Sequence, residues 1–136
     1  MDRPRTITLD KVQINIDDVF ITPHSVQRFE ERMTRLGDEC PDPLESMKVL
    51  LESSRVEITN STVLETIKRY RFNKHKKKNC IFLVSGGWRF ILYKTSPKER
   101  SQGMLPYTLI TAERIIPQEN KQDASWLDAK DYLDLD

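Results

Sequence analysis

A histidine and an arginine, His24 and Arg28, stand four residues apart near the start of a segment with helical periodicity. Residues at this spacing are neighbours on a helix surface. The positive end of the helix dipole disfavours an imidazolium at His24, and a neutral imidazole can act as a general base. Arg28 and the helix terminus both favour an anion nearby. The pair is therefore a candidate for handling a phosphodiester, in which a base activates a 2′-hydroxyl and a guanidinium stabilises developing charge.

The same stripe of the helix has a structural interpretation. Glu31 and Arg35 follow Arg28 at spacings of three and seven, and such neighbours form ion-pair ladders on solvent-exposed helix faces. In that case His24 only occupies the second position of an exposed helix. The residue types leave both interpretations open.

The largest concentration of charge lies in residues 68–100, which hold eleven Lys or Arg residues and one acid, a local charge of +10. We call this segment the basic block. Residues 1–67 carry eight basic and thirteen acidic side chains, and residues 101–136 carry three and seven. The formal net charge of +1 therefore conceals one cationic segment between two acidic flanks. Such a segment is typical of a surface that meets phosphate, because each Lys or Arg near a backbone phosphate releases condensed counterions.

We predict that the basic block binds RNA. A solvated, lysine-rich loop is one alternative, and a regulatory surface that meets an acidic protein or the acidic end of the chain is another. Few aromatic residues lie near Lys74–Lys78, which argues against base stacking as the main mode of binding, although Tyr70 and Phe72 are available to stack on bases. The predicted contact residues are Lys68, Arg69, Arg71, Lys74, His75, Lys76, Lys77, Lys78 and Lys94.

Two further candidates lie on predicted strands. Arg89 shares a strand face with Tyr93 and can hold an anion, and Thr111 lies on the last predicted strand. Each also has a structural interpretation, Arg89 as a residue at the sheet edge and Thr111 as a common β-former.

Other kinds of chemistry find little support in the sequence. The two histidines, His24 and His75, form no recognisable metal-ligand motif, so we predict no metal and no cofactor. We find no glycine-rich phosphate loop and no nucleophile elbow. The apolar stretches are shorter than the ~20 residues of a membrane helix, and no secretory signal is recognised. Because Cys40 and Cys80 lack CxxC spacing, we expect a reduced, cytoplasmic protein without a membrane partner.

The first half of the chain predicts strands followed by helices. Period-two alternation predicts a β-hairpin over residues 6–22, with Asp17 and Asp18 at a turn. Thr22 is the candidate N-cap of a helix that ends near Gly37. Residues 43–53 form a second predicted helix, capped by Asp42. The expected buried residues of the two helices are Val26, Phe29, Met33, Leu36, Leu44, Met47, Leu50 and Leu51.

The second half predicts an antiparallel meander. Within residues 55–78, Val56 and Ile58 alternate like a short strand, and the residues from Asn60 on fit a helix or a strand, with the helix favoured. An apolar run, a turn signal at Ser85-Gly86-Gly87 and a returning strand predict a hairpin over residues 80–93. A polar loop then leads to a strand over residues 107–112. The order predicts an α+β fold with both helices on one face of the sheet, as a single domain over residues 1–116. Residues 117–136 are predicted to be an acidic tail in which a short helix can form.

The pattern His-x-x-x-Arg-x-x-x-Arg over residues 24–32 resembles the helix that opens small bacterial domains related to the RelE and BrnT toxins. The resemblance extends over roughly residues 22–116. It implies a barnase/RelE-like fold, metal-independent endoribonuclease activity and a small antitoxin-like partner. The chain departs from those domains in its N-terminal hairpin, its acidic tail and its near-zero net charge. The residues that match the implied catalytic positions are His24, Arg28, Arg89 and Thr111.

Overall fold

The computed structural model describes residues 4–37, 39–57 and 80–115. Strands and helices are numbered here in chain order within those ranges. Residues 58–78 of the segment predicted over 55–78, and the predicted tail over residues 117–136, lie outside the described residues. The strands are β1 (Thr6–Leu9), β2 (Val12–Asn15), β3 (Val19–Ile21), β4 (Arg55–Val56), β5 (Cys80–Ser85), β6 (Trp88–Lys94) and β7 (Tyr107–Arg114). The helices are α1 (Pro23–Arg35), α2 (Pro43–Glu52) and α3 (Pro97–Ser101), and a 3-10 turn at Ile16–Asp18 joins β2 to β3.

The described strands form two sheets. β1 and β2 make a two-stranded sheet, and the others make a five-stranded sheet in the order β3-β7-β6-β5-β4. The pairs from β4 to β7 are antiparallel, whereas β3 runs parallel to β7. Helix α1 packs on β7, and α2 contacts both α1 and β1. The predicted α+β class, with an N-terminal hairpin and helices packed on a meander, is confirmed.

The N-terminal hairpin is shorter than predicted. Its strands pair so that the turn is the two-residue segment Asp10-Lys11. Asp10 has a φ of 33°, the left-handed conformation that tight hairpin turns require. Asp17 and Asp18 lie instead in the 3-10 turn, after which β3 leaves the hairpin to pair with β7. The predicted extent of the hairpin, residues 6–22, was therefore wrong.

Both long helices begin at their predicted caps. Thr22 Oγ1 accepts a hydrogen bond from the Ser25 backbone N–H at 3.1 Å. Asp42 Oδ1 accepts one from the Glu45 backbone N–H, also at 3.1 Å. A proline follows each cap in the first turn, where its missing N–H costs no hydrogen bond. These local signals account for where α1 and α2 begin.

The predicted apolar faces of the helices are confirmed except near their ends. Phe29, Met47 and Leu51 are fully buried. Leu36 and Leu44 are 50% and 40% exposed, so the prediction that both are buried was wrong. Leu36 is the C-cap residue of α1 and Leu44 lies in the first turn of α2, positions that the helical period alone assigns to the buried stripe.

One face of the five-stranded sheet packs against α1, and we call it the helix face. Trp88, Phe90 and Leu92 of β6 are buried there. The Phe29 ring centroid lies 4.5 Å from that of Trp88 and 6.4 Å from that of Phe90. Aromatic pairs at these distances stabilise a core beyond the area that they bury. The prediction that this face of β6 belongs to the core is confirmed.

The opposite face of the sheet, which we call the second face, is also buried along β6. Arg89, Ile91 and Tyr93 point to it, and none of them is more than 9% exposed. A strand that is buried on both sides reads as a continuous apolar run. β6 follows that rule except at Arg89, which places one charged side chain in buried surroundings.

A short helix lies within the predicted polar loop between β6 and β7. The Ser96 hydroxyl accepts from the Glu99 backbone N–H at 3.2 Å, and the Glu99 carboxylate accepts from the Ser96 backbone N–H at 3.0 Å. This reciprocal capping box stabilises α3. No helix in the described part of the chain is long and apolar enough to span a membrane.

Candidate functional site

Helix α1 is fixed to β7 at two points, one near each end of the helix. Thr22 Oγ1 donates a hydrogen bond to the Leu109 carbonyl at 2.8 Å. Arg32 Nη1 donates to the Ala112 carbonyl. Between these two acceptors the pairing of β6 with β7 skips Ile110, which forms a β-bulge. The two hydrogen bonds therefore hold α1 across the bulge in one orientation.

Arg32 is the last residue of the His-x-x-x-Arg-x-x-x-Arg pattern, and it points into the protein. The residue is only 6% exposed. A buried guanidinium needs hydrogen-bond acceptors, and the Ala112 carbonyl is one of them. Arg32 thus contributes to the packing of α1 on the sheet rather than to an open site.

The first two residues of the pattern lie on the outer side of α1. His24 is exposed in the second position of the helix. Arg28 is half-buried and pairs with Glu31 at 3.2 Å, and Glu31 also accepts a hydrogen bond from Gln27 at 3.1 Å. These contacts are part of the ion-pair ladder that the sequence offered as the structural alternative. An anion near His24 would compete with Glu31 for Arg28.

Arg89 lies at the centre of a buried ion-pair cluster on the second face. Its Nε and Nη2 atoms donate to the two oxygens of Glu57, and its Nη1 donates to Glu113 Oε1, all at 2.9 Å. Arg89 and Glu113 are fully buried, and the Glu57 side chain is 11% exposed. Bidentate pairing of this kind is the strong form of the interaction. A substrate phosphate could engage this guanidinium only by displacing a buried partner, which is costly.

The four predicted catalytic residues are not brought together. His24 and Arg28 belong to α1, which covers the helix face of the sheet. Arg89 lies on the second face, and the fully buried Thr111 pairs with Ile91 and so shares that face. The sheet therefore lies between the pair on α1, His24 and Arg28, and the pair on the strands, Arg89 and Thr111. The arrangement does not support a single site that uses all four.

Glu57 and Glu113 were not predicted as partners of Arg89. Glu57 is the residue after β4 and Glu113 belongs to β7, so no short spacing along the chain connects them with Arg89. The available signal is indirect, because Glu113 follows the apolar run of the final strand and a carboxylate there requires a buried partner. The sequence therefore indicates that Glu113 has a buried partner but does not identify that partner as Arg89.

The described end of the basic block lies in the connection between β6 and β7. Lys94, the last residue of β6, is exposed, and so are Lys98 and Arg100 of α3. Of these three, only Lys94 was predicted as a contact residue. The other predicted contacts lie outside the described residues: Lys68, Arg69, Arg71, Lys74, His75, Lys76, Lys77 and Lys78.

Helix α3 is tied to the sheet by a hydrogen bond from Tyr93. The Tyr93 hydroxyl donates to Glu99 Oε1, and the same carboxylate closes the capping box of α3. This hydrogen bond, with a smaller contribution from burial, raises the pKa of the Tyr93 phenol above its ordinary value. The contact places Lys98 and Arg100 on a short helix that is anchored to β6.

Neither a metal centre nor a known relative guides the assignment. Within residues 4–37, 39–57 and 80–115, no group of three or more His, Cys, Asp or Glu side chains is arranged to hold a metal ion. No protein-family model, no curated protein and no solved structure matches this chain. The function must therefore be inferred from the charge and geometry of the molecule.

Proposed function

We propose that the chain is an RNA-binding domain that contacts the phosphate backbone through the basic block. The observation that carries the proposal is the concentration of Lys and Arg in residues 68–100, between two acidic flanks, where ten such residues remain besides the buried Arg89. Lys94, Lys98 and Arg100 are exposed and thus accessible to phosphate. Contacts of this kind give affinity and position a protein on nucleic acid without reading its sequence.

The anchoring of α3 supports this role. Lys and Arg side chains lose conformational freedom when they bind, and a fixed backbone reduces what else must be ordered. The capping box and the hydrogen bond from Tyr93 to Glu99 fix the backbone that carries Lys98 and Arg100. The β6–β7 connection is therefore a preorganised part of the proposed RNA surface.

Charge reversal within the basic block tests the proposal. The variant with Lys94→Glu, Lys98→Glu and Arg100→Glu should bind a fluorescent RNA more weakly than the wild type, as measured by anisotropy. The logarithm of the binding constant should fall linearly with the logarithm of salt concentration. Its slope should become shallower by about one for each phosphate contact removed. The variant Lys76→Glu, Lys77→Glu, Lys78→Glu should behave in the same way.

Basic residues outside the block supply the matched control. Lys11 and Arg35 are both exposed, and the change Lys11→Glu with Arg35→Glu alters the net charge of the chain by four units against six. This control should leave the salt slope unchanged. If the wild type binds no RNA at low salt, or binds with no dependence on salt, the proposal is wrong.

A second candidate function is metal-independent RNA cleavage centred on His24 and Arg28. The specific observation in its favour is that these two residues share the outer side of α1, with His24 exposed near the helix N-terminus. The resemblance to RelE- and BrnT-related domains points the same way. In this candidate His24 is the general base and Arg28 stabilises charge on the phosphate.

The products of RNA incubation distinguish cleavage from binding alone. Cleavage through the 2′-hydroxyl leaves a 2′,3′-cyclic phosphate or the 3′-phosphate formed from it, and it should persist in chelator. His24→Ala should lower turnover by about 10²–10⁴-fold while RNA affinity is retained. Lys11→Ala, at an exposed residue outside both the basic block and α1, is the control. Equal cleavage by wild type and His24→Ala would show that His24 is not the general base. If the wild type binds RNA without cleaving it, only the RNA-binding function remains supported.

A further inference from the structure

An apolar groove lies between β3 and the first half of α1, and neither candidate function uses it. Its volume is about 610 Å³. Phe20 and Ile21 of β3 line one side, Pro23 and Val26 of α1 the other, and Leu44 of α2 completes the lining. Phe20 is 49% exposed and Leu44 is 40% exposed. Single exposed apolar residues are ordinary, but contiguous ones on a concave surface mark interaction sites.

The strand that forms one wall of the groove is a sheet edge. β3 pairs with β7 on one side, and within the described ranges no strand pairs with its other side. The backbone groups along such an edge can accept an added strand. β3 has only three residues, Val19–Ile21, so backbone pairing there is short. Side chains that enter the groove must supply most of the affinity.

The rim of the groove is acidic. Glu30 and Glu31 line it beside the apolar residues. Glu31 is partly neutralised by Arg28 at 3.2 Å, whereas the Glu30 carboxylate has no hydrogen-bond or ion-pair partner among the described residues. The apolar floor is therefore bordered by an excess of negative charge.

We infer that this groove binds a segment of a partner protein in which bulky apolar side chains are flanked by lysine or arginine. The apolar residues match the floor, and the basic residues complement Glu30 and the neighbouring carboxylates. The acidic rim repels phosphate, which separates this surface from the proposed RNA surface. Small-molecule sites have a few polar groups that converge on the ligand. The polar residues here, Gln27, Glu30 and Glu31, all come from one side of one helix.

A selection with random twelve-residue peptides displayed on phage tests the inference. Peptides enriched on the immobilised wild-type protein should carry Leu, Ile, Phe or Trp next to Lys or Arg. Synthetic versions should bind with an affinity that falls about tenfold or more on Phe20→Ser and on Glu30→Lys. Both positions are exposed at the groove, so these variants should keep the fold, which circular dichroism verifies.

Two variants away from the groove are the matched controls. Val49 is 54% exposed on α2, and Glu39 is an exposed acid in the connection between α1 and α2. Val49→Ser and Glu39→Lys should leave peptide affinity unchanged. No enrichment, enrichment of acidic peptides, or equal binding to Phe20→Ser and Glu30→Lys would overturn the inference. Concentration-dependent dimerisation that Phe20→Ser abolishes would also overturn it, because the occupant would then be a second copy of the chain.

Discussion

The two faces of the five-stranded sheet are buried to a similar degree along β6, but their chemistry differs. On the helix face, Phe90 contacts other aromatic rings. On the second face, the neighbouring Arg89 is held by Glu57 and Glu113. When an apolar side chain is truncated, the free energy of unfolding falls with the number of contacts removed. When one partner of a buried ion pair is removed, the charge that remains buried is itself destabilising. Equal burial therefore does not mean that the two faces stabilise the fold in the same way.

The largest expected effects come from single changes on each face. Phe90→Ala leaves a cavity and should lower the free energy of unfolding by about 3–5 kcal/mol. Arg89→Met leaves the buried Glu113 carboxylate without its cation and should cost a similar amount, about 3–5 kcal/mol. Urea denaturation followed by circular dichroism measures both. A loss well below this for Arg89→Met would show that the cluster is of little importance to stability.

Neutralising the Glu57 and Glu113 carboxylates should have opposite effects on the stability of variants of the two faces. Adding Glu57→Gln and Glu113→Gln to Arg89→Met should recover part of the lost stability, because no unpaired charge then remains buried. Adding the same two changes to Phe90→Ala should lower stability further, because Arg89 then loses the carboxylates of Glu57 and Glu113. If the pair of changes has the same effect in both backgrounds, the second face does not depend on its ion pairs.

A smaller effect is expected at the junction of α1 with the sheet. Thr22→Ala removes both the helix cap and the hydrogen bond to the Leu109 carbonyl, and it should cost about 1–2 kcal/mol. Asp42→Ala removes a cap that has no such link to any of the described strands, so it should cost about 0.5–1 kcal/mol. Thermal unfolding of the two variants makes the comparison. Equal losses would mean that the bond from Thr22 to β7 adds nothing.

The smallest effect appears only at alkaline pH. The pKa of Tyr93 is raised in the folded protein, so the protonated phenol is the form that folding favours. Its contribution to stability is complete below the ordinary tyrosine pKa of about 10 and is lost as the pH rises through the folded value. Stability should therefore fall more steeply in the wild type than in Tyr93→Phe above that pH. Parallel curves for the two proteins would contradict the role of the Tyr93–Glu99 hydrogen bond.

Much of the described fold could be predicted because its signals are local. Thr22 and Asp42 cap their helices with oxygens that reach backbone groups three residues away. The turn at residues 86–87 uses two glycines with φ values of 56° and 81°, a conformation that other residues rarely adopt. The N-terminal turn was misplaced, although the apolar positions change from odd to even numbers between Leu9 and Val12, which marks the true turn.

The candidate site was harder to predict because it depends on which face of the sheet each residue occupies. His24 and Arg89 belong to separate elements, and only the packing of α1 on one face shows that the sheet lies between them. The burial of Arg32 follows from the same packing, since its acceptor is a carbonyl of β7. A pattern of residue types cannot show this.

The local sequence is sufficient to predict the caps, the period of each helix, the central hairpin and the concentration of positive charge in residues 68–100. These features depend on neighbours within a few residues or on composition. The folded arrangement is needed to show that β3 pairs in parallel with β7, that Arg89 is held by Glu57 and Glu113, and that an apolar groove opens beside β3. Each of these joins segments that are distant in the chain, and packing selects among many partners that the local sequence permits equally.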